Sequence, residues 1–216
     1  MRIGVLGTGT VGRTIAQGLL EAGHEVRMGA REAGNERAVA WAQEAGPSAG
    51  EGSFADAAGF GELIVNCTAG AAALDALAAA GAERLTGKTL IDVSNPLDFS
   101  TGTLRLLVCN DDSLGERIQA AFPKARVVKA LNTVNAAVMV DPCSVPGDHV
   151  LFVCGDDEAA KAQATALVGD LGWPAERVVD LGDITAARAT EMYLPLWVRM
   201  MQTFGTATFN VAVARG

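Results

Sequence analysis

Three glycines, Gly7, Gly9 and Gly12, stand directly behind the apolar run Ile3-Gly4-Val5-Leu6 and ahead of the helix-like stretch Arg13 to Ala22. A strand that runs into Gly-x-Gly-x-x-Gly and opens a helix is the fingerprint of a dinucleotide-binding βαβ unit. The chemistry is carried by main-chain N–H groups. Gly7 permits the tight turn, Gly9 lets the backbone approach a pyrophosphate, and Gly12 lets the helix pack closely on the strand. Thr8, Thr10 and Val11 complete the loop, and a second strand is expected over His24 to Met28.

The end of that second strand selects the dinucleotide. An NAD site places a carboxylate there, about 20 residues beyond the glycines, to bond the ribose 2′-OH. This chain reads Met28-Gly29-Ala30-Arg31-Glu32, with a small neutral residue in the acid slot and an arginine after it. A guanidinium offers phosphate oxygens a planar fork of donors, so Ala30 and Arg31 point to NADP(H). Two competing readings are a solvated Arg31 and a count that shifts Glu32 into the acid slot. Asn35 and Arg37, at the start of the next helix, are further candidates for the 2′-phosphate.

Elsewhere the chemistry is muted. Ligands of such sheets lie beyond the carboxyl ends of the strands. The loops expected there read Cys67-Thr68-Ala69-Gly70, Ser94-Asn95-Pro96-Leu97 and Leu131-Asn132-Thr133-Val134-Asn135. Cys67, Thr68 and Ala69 are expected beside the nicotinamide, with Asn95, Pro96, Asn132 and Thr133 lining a facing pocket. Each asparagine has an alternative role as a loop amide that satisfies backbone groups. No triad or carboxylate pair is present, so no catalytic residue is assigned. Lys129, inside the apolar run Val127 to Leu131, is either a proton donor to a carbonyl or imine, or a strand-end lysine reaching solvent.

The elements that must position these loops alternate. Helices are expected over Asn35 to Ala45, Ser53 to Ala58, Ala71 to Ala80, Ser113 to Phe122 and Asp157 to Leu171. Strands are expected over Leu63 to Cys67, Leu90 to Val93, Arg126 to Ala130, Val150 to Cys154 and Val178 to Asp180. A last helix starts near Thr185 and runs past Pro195 with a kink there. The fold class is therefore α/β: a Rossmann-type, doubly wound, mostly parallel sheet with a small carboxyl-terminal helical and strand extension. A turn-rich stretch over 140–148 marks the boundary between a dinucleotide-binding portion, 1–140, and a smaller portion, 141–216, that covers the cleft. A surface loop within one domain is the other reading of that stretch.

Composition sets limits on partners. The 216 residues are 50% hydrophobic with a formal charge of −8, which leaves no basic footprint for nucleic acid or an anionic membrane. No run reaches the ~18 apolar residues of a spanning helix, and the expectation is a cytoplasmic protein. Cys67, Cys109, Cys143 and Cys154 lie far apart and read as buried free thiols. With only His24 and His149 beside them, no metal site is expected.

Several segments together carry a resemblance. Gly7 to Gly12, Gly29-Ala30-Arg31, Asp92-Val93-Ser94-Asn95-Pro96, Val128 to Thr133, Cys154-Gly155-Asp156-Asp157 and Asp180-Leu181-Gly182-Asp183 occur in the order seen in NADPH-dependent reductases of the deazaflavin coenzyme F420. The chain is also similar to the cytoplasmic reductase domain of the six-transmembrane metalloreductases. The resemblance implies hydride transfer between NADPH and a deazaflavin or flavin, with the two rings stacked. Such a reaction asks the protein for alignment and water exclusion, and little of its side chains. Enzymes of that family can carry Ser where Ala30 stands and His where Asn132 stands.

Thr185 to Trp197, with Met200, Met201 and Phe204 beyond, is apolar on more than one face, whereas an isolated surface helix shows a single stripe. The surplus is expected to cover the cleft, to dock a second subunit as a homodimer, or both. Arg188 is expected either to meet the acidic tail of the coenzyme or to pair with Glu191 at helical spacing. Two further functions remain open: reduction of a small carbonyl or imine with Lys129 as donor, and a non-catalytic NADPH-sensing module.

Overall fold

The computed structural model describes residues 1–214. Its elements follow in order: β1 Arg2–Leu6, α1 Thr10–Glu21, β2 Glu25–Ala30, α2 Glu36–Ala45, β3 Ala49–Ser53, α3 Phe54–Phe60, β4 Leu63–Asn66, α4 Ala73–Ala80, α5 Ala82–Leu85, β5 Thr89–Asp92, β6 Leu97–Asp98, β7 Arg105–Leu106, α6 Leu114–Ala121, β8 Arg126–Ala130, α7 Ala136–Val140, β9 Leu151–Cys154, α8 Glu158–Asp170, β10 Val178–Asp180, α9 Ala187–Met192 and α10 Leu194–Phe204.

Eight strands form one sheet in the order β10-β9-β8-β5-β4-β1-β2-β3, and β6 and β7 form a separate two-stranded ribbon. Every pair in the large sheet is parallel except β8 with β9. The order reverses between β1 and β4, where chain direction carries one helix to each face. That is the switch point of a Rossmann fold, and the crevice there opens at the carboxyl ends of the strands. Central strands β1, β4, β5 and β8 are buried almost throughout, as a parallel sheet covered on both faces requires. One core layer packs Ile3, Val5, Ile15, Leu19, Val65 and Val128; the other packs Leu6, Ile64, Leu77, Leu90, Ile118 and Val127.

Side-chain caps set several helix starts. Asn35, Ser53, Ser113, Asn135 and Asp157 each accept an N–H from the first turn of the helix that follows, which removes an unsatisfied donor. The expected last helix is broken in two at Tyr193, with Pro195 in the first turn of α10. The 140–148 stretch holds a short 3-10 turn over Pro142–Ser144, and the strands beyond it join the same sheet. Strand β3 and the β6/β7 ribbon were not expected. All four cysteines are free; Cys154 is buried, Cys67 and Cys109 are partly buried, and Cys143 is exposed. Among the described residues, no helix is long and apolar enough to cross a membrane, and no cluster of three or more His, Cys, Asp or Glu is placed to hold a metal ion.

Candidate functional site

The glycine loop is built as its spacing demands. Gly7 has φ +117, and its N–H donates to the Gly29 carbonyl at 2.9 Å, which extends the parallel β1–β2 ladder to the start of the glycine loop. A Cβ on Gly12 would stand 2.1 Å from the Gly7 carbonyl oxygen, whereas a Cβ on Gly9 would meet nothing within 4 Å. The space in front of Gly9 is open. Gly9 caps α1 without a side-chain hydrogen bond, so the first-turn N–H groups of α1 face that space with no side-chain acceptor, the arrangement that receives a phosphate.

A cleft of about 710 Å³ lies against this loop, lined by Gly7, Thr8, Gly9, Ala30, Arg31, Asn35, Cys67, Thr68 and Ala69. Ala30 ends β2 and is buried; Arg31 follows it, exposed, on the cleft wall. Glu32 is not among the lining residues, so of the two charged neighbours only Arg31 borders the cleft. Asn35 touches the cleft while its Oδ1 accepts the N–H groups of Arg37 and Ala38. Thr10 and Arg37 lie instead along a neighbouring groove between α1 and α2. Phe54 and Asp75 also line the cleft; they lie on α3 and α4, and nothing in their local sequence marks them.

A second cavity of about 420 Å³ shares the Cys67, Thr68 and Ala69 wall with the first. Val11, Asn95, Asn132 and Thr133 line it, together with Phe99, Met139, Leu194 and Trp197. Leu194 and Trp197 come from α10, so the carboxyl-terminal segment does form part of this wall. Pro96 is buried behind the pocket, where its carbonyl accepts the Leu107 N–H at 2.8 Å. Leu131 adopts φ +63 immediately before Asn132, a conformation that costs a leucine energy and turns the chain sharply at the pocket. Asn95 and Asn132 hold each other. Asn95 Nδ2 donates to the Asn132 carbonyl at 2.8 Å, and Asn132 Nδ2 donates to Asn95 Oδ1 at 3.0 Å. Asn132 Oδ1 is buried without a partner.

Among the described residues, the smaller pocket has no acid, amine, guanidinium, imidazole or phenol in its lining. Its one titratable side chain is Cys67, whose thiol is pushed far up by burial and by the nearby Asp92 carboxylate. It stays protonated and is a poor nucleophile.

Lys129 is sealed beneath the site. Its side chain has no solvent exposure, and its Nζ lies 2.7 Å from Asp92 Oδ2, 2.8 Å from Glu191 Oε1 and 2.6 Å from the Ser94 carbonyl. Burial alone would lower the pKa of this amine, but the two carboxylates outweigh it and hold it above the ordinary lysine value. All three ammonium hydrogens are engaged, so Lys129 neither reaches solvent nor has a proton to offer a substrate. Glu191 also accepts the N–H groups of Leu114 and Gly115 at the start of α6. This corrects the pairing expected for Arg188, which bonds Glu116 across 2.8 Å and not Glu191.

The fold and the paired cavities define a Rossmann-type protein with a dinucleotide-binding loop and a second cavity at its switch point. A family model described as NADP oxidoreductase coenzyme F420-dependent matches residues 2–96. A crystal structure from Arthrobacter sp. FB24, of a protein provisionally assigned as an F420-dependent NADP-reductase, is 51% identical and covers 100% of both chains with a TM-score of 0.93. The chain belongs to this F420-dependent NADP oxidoreductase family. Among curated relatives, F420-dependent NADP reductase of Methanocaldococcus jannaschii is 32% identical over 118 residues, which is 54% of this chain and 52% of the relative. Metalloreductase STEAP3 of Rattus norvegicus is 28% identical over 201 residues, 91% of this chain and 38% of the relative. The chain thus spans about half the length of one and little over a third of the other.

Proposed function

We propose that this chain transfers hydride between NADP(H) in the larger cleft and a planar deazaflavin or flavin acceptor in the smaller one. The observation that carries the reading is the shared wall: two cavities, one beginning at a phosphate-receiving loop and the other lined by Phe99, Leu194 and Trp197, meet at Cys67, Thr68 and Ala69. NADPH supplies the hydride when bound. The residues supply the rest: Gly9 and the α1 N-terminus receive the pyrophosphate, Arg31 the 2′-phosphate, and the apolar side chains align the acceptor ring and exclude water. The names carried by relatives of this chain support the acceptor class.

The carbonyl or imine reading gives the proton donor's role to Lys129, whose three ammonium hydrogens are already engaged. Mixing the protein with NADPH and, separately, an oxidised deazaflavin, a flavin and a small carbonyl tests the assignment. Loss of reduced-nicotinamide absorbance with the ring acceptors alone is expected; turnover of the carbonyl alone, or NADPH binding without any turnover, contradicts it. We further propose that the chain acts as a homodimer through α10, on which Leu196 and Phe204 are 56% and 58% exposed.

A further inference from the structure

The direction of the Thr68 hydroxyl is dictated from below. Lys129 only donates, and it satisfies Asp92 Oδ2 at 2.7 Å. Asp92 Oδ1 accepts from the Ser94 hydroxyl at 2.7 Å and from Asn66 Nδ2 at 2.8 Å. A carboxylate only accepts, so the Asn66 amide must turn its NH2 toward Asp92 and its oxygen the other way. That oxygen faces Thr68, and it accepts both the Thr68 N–H at 3.3 Å and the Thr68 hydroxyl at 2.7 Å. The single hydroxyl proton is therefore committed inward. What remains on Oγ1 is lone pairs, at a half-buried position on the wall common to both cavities. Asn66, Asp92 and Lys129 are almost wholly buried, so water does not compete for this chain of bonds.

We propose that Thr68 is a specificity-determining acceptor for the carboxamide NH2 of the nicotinamide ring, and that Asn66, Asp92 and Lys129 are positioning residues that hold it in that polarity. The inference rests on the NADP(H) reading above and deepens it. A dinucleotide held at Gly7 to Gly9 extends along a cleft that reaches Thr68, and the carboxamide is the donor at its reactive end. An acceptor of fixed polarity there orients the carboxamide, and so sets which ring face turns toward the second cavity.

Direct binding of the oxidised forms tests this without turnover. NADP+ is compared with its 3-acetylpyridine analogue, which keeps the carbonyl and replaces the NH2 by a methyl group, and with 2′-phospho-ADP-ribose, which lacks the ring. The chain is expected to bind NADP+ roughly tenfold more tightly than the analogue. Thr68→Ser should keep that preference and Thr68→Val should abolish it, each read as the ratio of the two affinities so that any change at the neighbouring ribose cancels. Asn66→Ala frees the hydroxyl to turn and donate to the acetyl carbonyl, which should narrow the preference; if that buried variant does not fold, the Thr68 pair decides. Full preference retained in Thr68→Val, or in folded Asn66→Ala, overturns the inference alone. Failure of the wild-type chain to bind 2′-phospho-ADP-ribose or NADP+ overturns the cofactor reading and this inference with it.

Discussion

Lys129 Nζ lies 2.7 Å from Asp92 Oδ2 with neither side chain exposed to solvent, and this pair ties the β5 and β8 loops of the site to Glu191 on α9. Removing one partner of such a pair strands the other as an uncompensated buried charge.

Lys129→Met should therefore destabilise the chain by about 3–5 kcal/mol. The pKa of Lys129 is raised, so its contribution is fully present below the ordinary lysine range and is lost only as pH rises through the higher folded value. Chemical denaturation of wild type and variant at about pH 8, below the ordinary lysine range, should show this difference. A variant within about 1 kcal/mol of wild type there contradicts a buried, doubly engaged ion pair.

Arg31→Ala should raise the Kd for NADPH by about tenfold to a hundredfold, the worth of a charge-assisted phosphate contact, and leave that for NADH nearly unchanged. Titration calorimetry with both coenzymes measures it. A preference for NADPH that survives the substitution removes Arg31 from the 2′-phosphate site.

Gly9→Ala and Gly12→Ala separate binding from folding. Gly9 has φ −74 and open space before it, so its alanine variant should lose no more than about 1 kcal/mol of stability, while its methyl group blocks the approach of pyrophosphate. At Gly12 the added carbon meets the Gly7 carbonyl. That overpacking should cost about 1–3 kcal/mol and weaken cofactor binding as well. Melting curves and NADPH affinities, read side by side, distinguish the two.

Glu116 is held below the usual glutamate range chiefly by its hydrogen bond from Arg188, with burial opposing and Ser113 assisting. A depressed folded pKa means the stabilisation is present above the unfolded value and lost as pH falls through the folded one. The stability gap between wild type and Arg188→Ala should thus be flat near neutrality and close as the solution is acidified below about pH 4.

Light scattering at micromolar concentration should find a dimer, and Leu196→Glu together with Phe204→Glu should dissociate it. A wild-type chain that stays monomeric removes the homodimer proposal.

The parts of this site that depend on local backbone demands were legible in the sequence. Gly7, Gly9 and Gly12 are needed by one short turn, and the alternation around them fixes the strand and helix that hold it. Ala30 and Arg31 were placed by counting along one βαβ unit. By contrast, the partners of Lys129 are Asp92 and Glu191, far from it in sequence and brought together only when β5, β8 and α9 pack. Spacing along one helix pointed Arg188 to Glu191, but tertiary packing gives Glu191 a buried cation and the α6 amides, which leaves Arg188 to Glu116. Strand β3, Ala49-Gly50-Glu51-Gly52-Ser53, lacks β-branched and aromatic residues altogether; it forms because the edge of β2 offers a parallel partner.

The hydride itself is the most direct probe of the proposed function. NADPH carrying deuterium at the transferable C4 position, incubated with the protein and 5-deazariboflavin, should deliver that deuterium to C5 of the reduced deazaflavin, where a carbon-bound label does not wash out into water. Label found in solvent with none at C5, or no reduction at all, would contradict direct transfer between rings stacked where the two cavities meet.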